Sequence, residues 1–216
     1  TQEVPSPPAQ SGLAKWDLVA EDLYYGIYLN GSKMGWMNSR LSSTETAIQA
    51  STQMEAKITG MGTVSTIVLV EERSYRISDG MLTSIEFSQS SATGSVAIKG
   101  KLVGDQLELS VTAGEVTSTK LVPAKETLAD LQALQKLLRK PAVNATAKIT
   151  RFDPSALQLL AVEHKVLAIE RKVFGGVEVD TVHLESTYPQ MGLSELSLYD
   201  NTGTLLETKV GGFFVA

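Results

Sequence analysis

The sequence predicts a mainly β protein: a strongly curved antiparallel sheet, half-barrel or sandwich-like, with one inserted amphipathic helix. Three observations carry this expectation. The dominant hydrophobic period is two. From 46 to 58 the even positions read Ile48, Ala50, Thr52, Met54, Ala56 and Ile58, while the odd ones read Gln49, Ser51, Gln53, Glu55 and Lys57. Strand side chains alternate between faces, so this segment has one buried and one wet face. Short turns rich in Gly, Asp and Asn punctuate the chain at regular intervals. Finally, helical spacing of apolar residues dominates one segment, 127–140, with Leu128, Leu131, Leu134, Leu137 and Leu138.

The strands follow in order. Segments 23–29 and 34–41 flank Asn30, Gly31, Ser32 and Lys33. An Asn-Gly pair reaches positive φ at little cost and marks a hairpin. Segment 64–77 runs to Ser78, Asp79 and Gly80, and 82–89 resumes, so these two are expected to pair. Segments 96–103 and 107–111 surround Gly104 and Asp105, and 116–122 follows Ala113 and Gly114. Past the helix come 145–152, 162–173 and 177–188, the last two joined at Gly175 and Gly176. Segments 195–199 and 204–210 then flank Asp200, Asn201, Thr202 and Gly203. A sheet of about a dozen strands twists and curls. A helix in its concavity covers a face that water would otherwise meet.

The helix carries its own punctuation. Thr127 with Asp130 resembles a capping box, with the shorter Asp in place of Glu. Lys136, Arg139 and Lys140 sit in the last turn, where the helix dipole favours cations, and Pro141 forbids continuation. A short helical turn is expected over 155–160. The domain plan is a linker-like tail over 1–21, rich in Pro and Ser, and a single β domain over 22–216 with its helix at about 127–140.

Composition excludes several functions. The 216 residues suit one domain, and their 19 Lys+Arg against 24 Asp+Glu leave a net charge of −5, against a nucleic-acid partner. With no Cys, the chain has no disulfide, thiolate ligand or thiol nucleophile of its own. No apolar run approaches the roughly 20 residues of a transmembrane helix. There is no Gly-x-Ser-x-Gly elbow, no phosphate-binding loop and no Gly-x-Gly-x-x-Gly after a strand.

No catalytic residue, metal site or cofactor is expected. His183 and Glu185 share a strand face, but His164 is the only other histidine and zinc needs three or four ligands. Glu71, Glu72, Arg73 and Arg76 lie along one strand and read as surface ion pairing, which is worth little. The groove candidates are aromatic: Tyr25 and Trp36 in the first hairpin, Tyr75 and Phe87 on the next strands. On a curved sheet they would line a groove for an apolar ligand or a partner segment.

Residues 24–36, Tyr-Tyr-Gly-Ile-Tyr-Leu-Asn-Gly-Ser-Lys-Met-Gly-Trp, resemble the opening of the N-terminal, non-catalytic region of bacterial transglutaminase-like (cysteine-protease-like) proteins. Phe152-Asp-Pro154, Val173-Phe-Gly-Gly176 and the run from Leu198 to Glu207 resemble later parts of that region. The resemblance implies a periplasmic or secreted β domain preceding a separate catalytic domain. The absence of Cys means that no catalytic residue carries over. The apolar end, Gly211 to Ala216, adds the expectation that the native polypeptide continues. The function expected is therefore an extracytoplasmic binding or accessory domain. Its partner would be a downstream transglutaminase-like domain or a cell-envelope protein or peptide. The alternative, by similarity to lipoprotein-carrier half-barrels, is a periplasmic carrier of an apolar ligand with a cavity of several hundred Å³.

Overall fold

The computed structural model describes residues 11–29, 32–60, 63–174, 176–210 and 213–215, with the backbone alone at 11, 58–60, 63, 210 and 213–215. A short helix α1 (Ser11–Lys15) precedes β1 (Glu21–Leu29), β2 (Ser32–Ser43), β3 (Ala47–Gly60) and β4 (Thr63–Arg76). Next come β5 (Leu82–Ser91), β6 (Gly94–Val103), β7 (Gln106–Ala113) and β8 (Val116–Pro123). Helix α2 (Leu128–Arg139) leads into β9 (Thr146–Asp153), β10 (Gln158–Phe174), β11 (Val177–Tyr188), β12 (Leu193–Asp200), β13 (Leu205–Val210) and β14 (Phe213–Val215). The protein is mainly β, as the period-two pattern predicts.

The fourteen strands among the described residues form one antiparallel sheet, built from two meanders. Strands β1 to β8 each pair with their sequence neighbour, and so do β9 to β14. The first and last strands join the two, with Ile27 opposite Val215. The sheet therefore runs from β8 inward to β1, then from β14 outward to β9. It does not close, and its two edges are the strands that flank α2. Register sets which residues look inward. Arg73 on β4 faces Ala50 on β3, Ala50 faces Leu41 on β2, and Leu41 faces Glu21 on β1. Cross-strand partners share a face, so these four form one row across the sheet.

The inner face holds two cores, and α2 touches both. Ile48, Leu82, Ile85, Ile98, Leu107, Leu109 and Phe152 belong to the larger one, which Leu128 and Leu131 of α2 join. Val166, Val182 and Leu184 form the smaller with Leu137 and Leu138. Full burial of a leucine such as Leu128 contributes roughly 2–3 kcal/mol. The helix thus lies against the inner face, the position its amphipathic pattern implies. Its start is pinned by Asp130, whose Oδ2 accepts from the Thr127 amide at 3.0 Å and whose Oδ1 accepts from the Thr150 amide at 2.8 Å.

Part of the expected tail is structured. Leu13 and Leu18 are buried in the larger core, because α1 and the turn after it, closed by the Leu18 amide donating to the Leu13 carbonyl at 2.9 Å, bring both leucines onto the sheet. Trp16 Nε1 donates to the Ile77 carbonyl at 3.0 Å and its ring covers Gly80. Gly80 has φ +73°, and an added Cβ would lie 2.6 Å from the Trp16 ring. Its carbonyl accepts from the Leu128 amide at 2.8 Å, so one tight turn links α1, the β4–β5 hairpin and α2. Residues 1–10, with Asn30, Gly31 and Gly175, lie outside the described residues. The short helical turn expected over 155–160 is absent. The Asp153 carboxylate accepts from the amides of Ser155 and Ala156 instead, making a tight turn from which β10 starts at Gln158.

Candidate functional site

Ile67, Leu69, Glu71, Arg73 and Tyr75 alternate onto the same face of β4. The last three carry charge or a hydroxyl into the interior. Arg73, with a side chain only 4% exposed, donates from Nε to Glu71 Oε1 at 2.7 Å and from Nη2 to the Phe152 carbonyl at 2.8 Å. Its Nη1 donates to Glu126, in the segment between β8 and α2. Glu126 also accepts from the Tyr75 hydroxyl and, at 2.6 Å, from the Phe152 amide. Arg151 on β9 adds a longer contact, Nη2 to Glu71 Oε1 at 3.3 Å. Three separate stretches of chain, β4 itself, the β8–α2 segment and β9, meet at one guanidinium.

The electrostatics follow from that geometry. Burial by itself raises the Glu71 carboxyl, but the guanidiniums of Arg151 and Arg73 outweigh it and hold the group below its ordinary value. Arg73 remains charged: burial disfavours the cation, yet Glu126 and Glu71 more than offset it. Burial and the adjacent Glu126 carboxylate raise the Tyr75 phenol. Glu71 and Arg73 are thus an interior network, not the surface pairing their sequence suggests. A charge on the buried side of an alternating strand is the signal that reveals them. Glu126 and Arg151 give no such signal, because each is isolated in its own segment.

A cavity of about 220 Å³ lies between this network and α2. Leu131 and Leu134 of α2 form its roof, Leu41 and Ala50 its floor, and Glu71, Arg73, Tyr75 and Arg151 one wall. Glu21 lies at the far end, where it accepts from the Ser39 hydroxyl at 3.4 Å. Burial raises its carboxyl, with the Ser39 bond only partly opposing. This space is smaller than a lipid-sized apolar chamber and its wall is charged. Of the aromatic candidates, Tyr75 lines the cavity. Tyr25 and Phe87 are buried on the inner face outside it. Trp36 pairs with Gly26 on the opposite face, beside exposed Tyr24 at a ring separation of 6.5 Å.

A second polar cluster lies on the inner face of β10 to β13. Glu195 accepts from Ser197 at 2.8 Å and from Thr208 at 2.7 Å, and Tyr188 donates to it at 3.3 Å. His164 Nδ1 bonds Ser186 at 2.9 Å, and its buried Nε2 has no partner among the described residues. Burial pushes His164 down to about 4. His183 does not meet it. His164 is opposite Ser186, three residues from His183, so the two rings lie on opposite faces. His183 Nε2 instead lies 3.4 Å from Glu170 Oε2, without hydrogen-bond geometry. Among the described residues no three His, Asp or Glu groups converge as metal ligands.

No family model matches the sequence, and no curated protein matches it. Solved structures do. A β-barrel-like protein of a domain of unknown function, DUF1849, from Brucella abortus superposes with a TM-score of 0.66 at 10% identity. The match covers 91% of this chain and 94% of that one. A DUF1089 family protein from Pseudomonas aeruginosa gives a TM-score of 0.44 at 15% identity, covering 86% and 92%. The first likeness shows a barrel-like fold; the second is too loose to add to it. Neither neighbour is described as a transglutaminase-like domain.

Proposed function

We propose that this chain is a non-catalytic, extracytoplasmic binding domain whose site is the cavity beneath α2. The observation that carries the reading is the cavity itself: about 220 Å³ between helix and sheet, at a place where two cores would otherwise meet. The cavity opens partly to solvent, and its apolar roof and floor suit a small guest that can enter from one side. An engineered cavity of about 150 Å³ already takes benzene. What supports a non-catalytic role is the wall. Arg73, Glu126 and Tyr75 bond one another and the Phe152 backbone, which suits a structural clasp better than proton transfer. An accessory role beside a transglutaminase-like catalytic domain belongs to the same proposal and rests on the sequence resemblance.

Native mass spectrometry of protein purified without detergent tests the reading. The expected result is a small adduct that Leu134→Trp, which fills the roof of the cavity, removes. An unchanged mass in both proteins, with no uptake of any small amphiphile, overturns it.

A further inference from the structure

The two ends of the cavity carry opposite, incompletely matched charges. At one end Glu21 has a single weak partner, the Ser39 hydroxyl at 3.4 Å, and no cation pairs with it among the described residues. A half-buried carboxylate without a cation is costly and calls for an explanation. At the other end Arg151 makes one hydrogen bond among the described residues, to Glu71 at 3.3 Å. Its guanidinium has five donors and its side chain is 55% exposed, so its remaining donors face solvent, where a ligand can displace water. Glu71 keeps Arg73 at 2.7 Å whether or not Arg151 stays. Of the other charged residues in the lining, Arg73 is matched by Glu71 and Glu126 and Asp130 by the amides of Thr127 and Thr150, while Arg40 alternates to the opposite face of β2 from Leu41.

Between the ends the lining is apolar. The row from Arg73 through Ala50 and Leu41 to Glu21 crosses three strand spacings, roughly 14 Å of backbone. Side chains reaching inward from both ends leave a charge separation of roughly 10 Å, and the volume suits about ten non-hydrogen atoms.

We infer that the cavity takes a zwitterion with an apolar middle, its ammonium on Glu21 and its carboxylate on Arg151. The inference rests on the cavity being a binding site. It names the ligand class: an ω-amino carboxylate or a molecule of the same charge layout. The ammonium supplies the cation Glu21 lacks, and the carboxylate takes the solvent-facing donors of Arg151 as a charge-assisted pair.

Calorimetry on the full chain with four probes of one length tests it: 7-aminoheptanoate, heptylamine, heptanoate and heptanol. The expected order places 7-aminoheptanoate about tenfold tighter than either singly charged probe, with heptanol weakest. Glu21→Gln weakens the two amines about tenfold and spares heptanoate, while Arg151→Gln weakens the two carboxylates and spares heptylamine. The probe series on the unaltered protein stands even if a variant misfolds. Heptanol binding as tightly as 7-aminoheptanoate overturns the inference and leaves the binding reading intact. So does an equal loss for all four probes in both variants. No binding by any probe overturns the inference; without a native adduct as well, the binding reading falls with it.

Discussion

The meanders β1–β8 and β9–β14 share one sheet and one topology, yet they bury polarity by different means. The first places ionised groups inside: Arg73 with Glu71 and Glu126, joined by Tyr75. The second gathers hydroxyls round one half-buried carboxylate, with a neutral imidazole nearby: Ser197 and Thr208 donate to Glu195 at 2.8 and 2.7 Å, and His164 meets Ser186 at 2.9 Å. The partners differ in reach. Arg73 and the Phe152 carbonyl lie 79 residues apart, whereas Ser197 and Thr208 sit on adjacent strands 11 apart. Long-range charge pairing clasps one meander to the other. Neighbouring hydroxyls satisfy strands that already pair. The fully buried Arg73 takes its counter-ions from wherever the fold brings them, while the half-buried Glu195 is met by hydroxyls across one ladder.

Three experiments break or sharpen that contrast. The largest effect is expected for Arg73→Met, which leaves Glu126 buried without a cation, leaves Glu71 only the longer Arg151 contact, and frees the Phe152 carbonyl. Urea denaturation is expected to show a loss of about 3–5 kcal/mol. A loss below about 1 kcal/mol would falsify the clasp.

The second experiment concerns pH. His164 is held near 4 in the folded protein against an ordinary value of 6.5, so between those values the unfolded chain binds a proton that the folded chain refuses. Stability is then full above pH 6.5 and falls as pH drops toward about 4, by about 3 kcal/mol in all. His164→Gln is expected to flatten denaturation midpoints across that window. The two proteins should still share a further loss at lower pH, where Glu71, whose folded value is depressed, takes up its proton. Parallel pH profiles for the two proteins would remove His164 from the account.

The smallest effect is expected outside both interiors. Lys148 and Glu163 pair at 2.6 Å on exposed strand faces, and Lys148→Ala should cost no more than about 1 kcal/mol. A larger loss would mean that surface pairing contributes as the interior network does.

Much of the fold was legible in advance, for a local reason. The strands expected from alternation over 46–58, 64–77 and 82–89 correspond to β3, β4 and β5, and the helix expected over 127–140 is α2, capped at Thr127. Periodicity, turn residues and capping act within a few residues, so the chain states them directly. The short turn at 155–160 misled because the Asp153 carboxylate organises a turn without helix. Leu13 and Leu18 were hidden in a segment whose composition reads as tail. The site was legible only in part. Tyr75 was among the aromatic candidates, but Trp36 faces away from the cavity, since one residue of register decides the face of every strand side chain.

By itself, the sequence determined the strand pattern, the single long amphipathic helix and the absence of thiol chemistry. All three depend on residue type and short-range spacing. Tertiary structure alone decided that β14 joins β1 and that the two edge strands flank α2. It also decided that Glu126 and Arg151 come to the face of β4 and that Glu21 and Arg151 mark opposite ends of one cavity. Those outcomes turn on contacts between distant segments, whose closure is driven by burial of the two cores and not by any property of the isolated segments.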